Sequence, residues 1–220
     1  MKRFAPGALA LLCAAALAVP AAGSSRKPQA SWQVTITNLT RPGSQPFSPP
    51  LVVVHSRRAD VWSVGQIASH GVAAIAEDAN NAVLESALPQ VPGVRSVRTV
   101  EGGPIMPGTS RTFTIRSRGN HDRLSLVTML VNTNDAFTGL DSFHLRGRGA
   151  VVSKRAYDAG SERNNERATH IPGPCCNNPF VRDPEGAVIR MHGGITGVGD
   201  LAPETYGWSD PVVRIRIVRG

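Results

Sequence analysis

The sequence predicts a mainly β protein, an antiparallel β-sandwich with one or two short inserted helices and long loops. Short strand-like runs recur along the chain and are separated by turn residues. Both flanks of the candidate domain alternate apolar with polar residues, at Trp32–Asn38 and again at Val212–Arg219. Only Val64–Leu88 shows apolar residues at helical spacing.

Residues 1–22 read as a secretory signal peptide. Lys2 and Arg3 supply the positive start, and Leu9–Val19 is an apolar run too short to span a bilayer. Pro20-Ala21-Ala22-Gly23 supplies the small residues of a cleavage site. Cys13 follows Leu12 rather than a small residue, which argues against a lipoprotein anchor, and no other stretch reads as transmembrane. The expected location is secreted or periplasmic, with residues 23–30 a flexible lead-in and 31–220 one domain.

Within that domain Trp32–Asn38 has the period of a half-buried strand. Leu51–His55 is continuously apolar, which fits a central strand covered on both sides. Val64–Leu88 predicts two short helices, or one with irregular ends, interrupted at Gly71 and again at 78–81. Val94–Val100, Thr112–Arg116, Leu124–Val131 and Ala150–Tyr157 read as strands, and Asn132–Ser142 as a polar loop. Asp158–Gly207 is rich in Gly, Pro and Asn. A structureless stretch of that length is expected only where it is functional or held by a ligand. Arg190-Met191-His192 is a short pairing segment within it. The final strand buries Val213, Ile215 and Ile217, presents Arg214 and Arg216, and is expected beside the Trp32 strand.

The formal net charge of +8 points to acidic polymers, anionic lipids or cell-wall material. No aromatic-plus-basic platform marks a nucleic-acid binder. There is neither a Gly-x-Ser-x-Gly elbow nor a His-Glu-x-x-His, and the six histidines lack ligand spacing, so an enzyme is not expected. The Gly-rich stretch His192–Leu201 reads as a tight loop rather than a phosphate cradle. Cys175 and Cys176 are neighbours; a vicinal disulfide, pairing between chains and free thiols all remain open.

Against this basic background, Asp135, Asp141, Asp158, Glu162 and Glu166 gather in two segments. Calcium takes six to eight oxygen ligands, and loops at one end of a sandwich converge to supply them. A turn through Ala159-Gly160 brings Glu162 back beside Asp158, and Gly160 permits the sharp backbone required. Pairing of these carboxylates with arginine is the alternative. Asp141 reads as turn filler, and Glu77 and Asp78 as the end of a helix.

Several motifs together resemble the spondin N-terminal domain family. They are Val34-Thr35-Ile36-Thr37-Asn38-Leu39-Thr40, Gln45-Pro46-Phe47-Ser48-Pro49-Pro50, Ala76-Glu77-Asp78, Met129 to Phe137, Tyr157-Asp158-Ala159-Gly160-Ser161-Glu162 and Ile171-Pro172. The resemblance implies a C2-like antiparallel sandwich and one bound calcium ion, with Asp135, Asp158 and Glu162 as ligands. Glu162 stands where the family usually has Asp, and the thrombospondin-type repeats of the animal proteins are absent. The expected function is a secreted, calcium-binding, non-enzymatic module for binding or adhesion. Its partner would be an extracellular protein or a cell-surface polymer. A metal-free structural envelope domain and a secreted hydrolase with a discontinuous site are the alternatives.

Overall fold

The two alternating segments at the flanks of the domain pair with each other, and the rest of the fold is arranged around that pairing. The computed structural model describes residues 1–2 and 29–220. The expected signal peptide, apart from Met1 and Lys2, and most of the lead-in lie outside the described residues. Ten strands occur among the described residues: β1 (Gln29–Asn38), β2 (Leu51–His55), β3 (Val94–Thr99), β4 (Ser110–Arg118), β5 (Arg123–Met129), β6 (Ala136–His144), β7 (Gly149–Lys154), β8 (Tyr157–Asp158), β9 (Arg190–Met191) and β10 (Val213–Arg219). They form a four-stranded sheet in the order β4-β1-β10-β7 and a six-stranded sheet in the order β3-β2-β5-β6-β8-β9. All pairings are antiparallel. β1 begins at Gln29, two residues inside the expected lead-in.

Two apolar layers result. Trp32, Val34, Ile36, Ile115, Ile215 and Ile217 of the first sheet pack against Val52, Val54, Leu124, Leu126 and Leu140 of the second. On the far face of the second sheet, Leu51, Val53, Val127 and Phe137 lie under α1 (His70–Asp78) and α2 (Asn81–Ala87), against Val72, Ile75, Leu84 and Trp62. β2 thus buries alternate residues on opposite faces, which is why its sequence is apolar without interruption. Each large side chain removed from water in this way stabilises by about 1.5–3 kcal/mol.

Two expectations are corrected. Gly71 does not interrupt the helix. It lies inside α1, capped at Ser69, whose hydroxyl accepts from the Val72 N–H at 3.3 Å. A Cβ at Gly71 would lie 2.7–2.9 Å from Leu84, so the glycine is where α2 seats on α1. The stretch Asn132–Ser142 is also not a loop throughout, because β6 takes over at Ala136. Its small and polar residues hide a buried strand. Thr138 is fully buried and donates to the Arg155 carbonyl at 2.8 Å. At Gly139 a Cβ would sit 1.8 Å from the Leu126 carbonyl oxygen, so only glycine allows β5 and β6 to approach.

The irregular stretch after β8 is held at several points. β9 pairs with β8, and Arg190-Met191 is the short pairing segment expected from sequence. Cys175 and Cys176 form a vicinal disulfide, packed with Ile171, Ile195 and Leu201 in a small apolar cluster.

Candidate metal centre

The β6–β8 pairing sets Ala136 opposite Asp158, so Asp135, one residue earlier, meets the turn that leaves β8. Ala159 N–H donates to the Asp135 carbonyl at 3.2 Å. The chain then turns at Gly160, with φ +69°, so closely that a Cβ would lie 2.5 Å from the Ala187 carbonyl oxygen. The return brings the Ser161 and Glu162 N–H groups to Asp135 Oδ2 at 2.9 and 3.0 Å. Asp158 Oδ1 accepts from Gly160 N–H at 2.7 Å, closing the turn. Asp135, Asp158 and Glu162 are all buried, at 0, 2 and 1% exposure.

The three differ in how their oxygens are satisfied. Asp158 Oδ2 is held by Asn164 Nδ2 at 2.7 Å and Arg190 Nη2 at 2.8 Å. Asp135 Oδ1 and both carboxylate oxygens of Glu162 have no hydrogen-bond partner. Arg182 Nε stands 3.5 Å from Glu162 Oε1, close enough to pair as an ion but without hydrogen-bond geometry. The same guanidinium is engaged by Glu77 at 2.6 Å and by Asp78. Glu77 and Asp78 therefore close α1, as expected, and also compete for Arg182.

Burial, with Asp158 nearby, pushes the Asp135 carboxyl up to about 7, against the N–H donors of Glu162 and Ser161. Burial, with Glu77, Asp135 and Asp183 nearby, pushes Glu162 up to about 8. The Asp183 backbone N–H pulls Glu162 the other way without reaching hydrogen-bond geometry. The native state therefore keeps protons that the unfolded chain has released, from the ordinary values of 3.8 and 4.5 up to about 7 and 8. In chelator, stability should fall as pH rises through that window and level off above it. Unfolding midpoints at about pH 5 and about pH 8.5 check this; the drop should be several degrees and smaller in Asp135→Asn.

Behind Asp158 runs a polar chain that sequence reasoning missed. Gly194 N–H donates to His192 Nδ1 at 2.9 Å, so Nε2 carries the proton and donates to Asn164 Oδ1 at 2.9 Å. Burial holds the His192 imidazole below its ordinary value, in keeping with that neutral form. Arg182 and Asn164 carried no motif to mark them, Arg190 and His192 were marked only as a pairing segment and the start of a Gly-rich loop, and Glu77 and Asp78 stood in a motif of the resemblance. Two candidate carboxylates lie apart. Asp141 is exposed on β6 and bonds Ser63 at 3.2 Å. Glu166 is spent on the Thr196, Gly197 and Val198 N–H groups and the Thr196 hydroxyl. Among the described residues no three His, Cys, Asp or Glu side chains form a ready-made metal cage.

The family model described as Spondin_N matches residues 31–162. The chain belongs to the spondin N-terminal domain family. That family is one of extracellular domains, and among the described residues no helix is long and apolar enough to cross a membrane. No curated protein matches the chain. The matched part of this spondin domain holds β1 from Ser31 on, β2 to β8, both packed helices and all three carboxylates. Arg182, Arg190, His192 and β10 lie beyond it, so the cations facing the carboxylates come from outside the matched segment.

Proposed function

We propose that this spondin domain is a secreted, non-enzymatic binding module in which Asp135, Glu162 and Asp158 hold one calcium ion. Its partner would be an extracellular protein or a cell-surface polymer. The observation that carries the metal reading is the set of buried oxygens without partners, Asp135 Oδ1 and both of Glu162. Leaving such oxygens unsatisfied is costly, and a hard cation that favours carboxylate ligands is the chemistry that satisfies them. Asp158 would join by exchanging Arg190 for the ion. Bound calcium would tie the turn before β6 to the turn after β8 and so firm that end of the sandwich.

The test is thermal unfolding at about pH 8, in EDTA and in millimolar calcium. A ligand at about 100 times its Kd adds about 2.7 kcal/mol, which moves the midpoint by roughly 5–10 °C. Calcium should produce that rise in the parent and none in Asp135→Asn. Arg182→Gln should bind calcium more tightly, because a competing cation is gone. A second reading has its own support in the Arg182 and Arg190 ion pairs, namely that arginine alone neutralises the cluster. On that reading calcium shifts nothing and Arg182→Gln simply destabilises.

A further inference from the structure

We propose that the outer face of the four-stranded sheet, continued into the cleft between β3 and β4, binds an acidic polysaccharide. Charge is segregated in this fold. All sixteen Asp and Glu residues lie outside β4, β1, β10 and β7. Those strands instead carry arginine at 111, 116, 118, 214, 216 and 219. Arg116, Arg214 and Arg216 are exposed and make no ion pair among the described residues.

The register sets these cations beside hydroxyls. Arg216 lies opposite Thr35, which lies opposite Thr112; Arg214 lies opposite Thr37, which lies opposite Ser110. The hydroxyls pair across the strands, Thr35 with Thr112 at 2.8 Å and Thr37 with Ser110 at 2.9 Å. At the rim, β3 and β4 are the edge strands of the two sheets, and a cleft of about 350 Å³ opens between them. Arg95, Ser96 and Arg98 line one wall and Thr114 and Arg116 the other. Arg98 is pinned across the cleft by the Thr114 carbonyl at 2.8 Å and lies 5.5 Å over the Phe113 ring.

Guanidinium forks recognise carboxylate or sulfate in two-point fashion, and neighbouring hydroxyls suit the alcohols of a sugar chain. An extended sheet face with repeated cations fits a polymer better than a small anion. The aromatic side chains of these strands, Trp32 and Phe113, are buried, so bases find no stacking platform. Val151 is the one large apolar side chain exposed on the face, too little to seat in a bilayer.

The experiment is calorimetric titration of the mature protein with polygalacturonate and with dextran sulfate. Neutral dextran, a DNA duplex and phosphatidylglycerol vesicles form the other arms. We expect binding to one or both acidic glycans and none to dextran, weakening as salt rises, and unchanged by EDTA. Arg214→Ser with Arg216→Ser should weaken it at least tenfold, and Arg116→Ser in the same direction, with unfolding midpoints near the parent's. Five results would overturn the proposal: no glycan binding, equal binding to dextran, tighter binding to DNA or vesicles, loss in EDTA, or variants that bind like the parent. The EDTA arm keeps this face separate from the calcium reading, which can fail without touching it.

Discussion

Gly139→Ala is expected to destabilise the domain by about 3 kcal/mol or more, at the upper end of what a substitution that forces the backbone to shift costs. The added Cβ would meet the Leu126 carbonyl oxygen at 1.8 Å in the middle of the β5–β6 ladder. A flexible side chain could swing aside, but a carbonyl held in a sheet cannot. The strands must part, and with them goes the layer in which Leu126 and Leu140 face each other. Urea titration followed by tryptophan fluorescence measures the loss, since Trp62 lies 5.0 Å from Phe137 on the same strand. A change under about 1 kcal/mol would mean that β6 is not seated as described. The effect reaches the candidate metal centre too, because β6 fixes the position of Asp135.

The second large effect belongs to Glu166. Its buried carboxylate accepts from Thr196 N–H at 2.6 Å, Gly197 N–H at 2.7 Å, Val198 N–H at 3.1 Å and the Thr196 hydroxyl at 2.9 Å. Hydrogen bonds to a charged acceptor are the strong ones, and Glu166→Ala removes the acceptor from all of them. The expected cost is on the order of 3 kcal/mol. Glu166→Gln should cost less but still fail to restore the parent, because its amide group turns donors toward donors. Hydrogen exchange at Thr196, Gly197 and Val198 separates this from general loosening: those amides should lose protection first. Protection unchanged there in Glu166→Ala would rule out the anchoring role.

What the sequence made legible follows from how each element meets solvent. β1 and β10 each bury one face, so their alternation shows through, and even their pairing could be anticipated. β2 is covered on both faces and reads as an unbroken apolar run. The first five residues of β6 are equally covered, yet Thr138 and Gly139 replace the apolar residues that would have revealed them. Gly71 misled for the same reason, since a glycine that admits a neighbour looks like one that breaks a helix. At the site, the turn through Gly160 was readable from local spacing; it sets the Ser161 and Glu162 N–H groups on Asp135 Oδ2, with Asp158 Oδ1 closing the turn. The arginines facing them were not readable. Arg182 meets Glu77 and Asp78 only because the long segment after β8 folds back over the end of α1, and no local pattern encodes that return.

The place of β10 also fixes the order of events during biosynthesis. It is inserted between β1 and β7, with Trp32 opposite Arg219 and Ile217 opposite Ala150. While the ribosome is still making residue 200, β1 can rest on β4, but β7 has no neighbour in its own sheet. The sandwich closes only when residues 213–219 have emerged, and that late, long-range closure is of the slow kind. Until then β1 and β7 each present a strand edge that only β10 covers, and such unpaired edges are where a partly folded chain pairs wrongly with another.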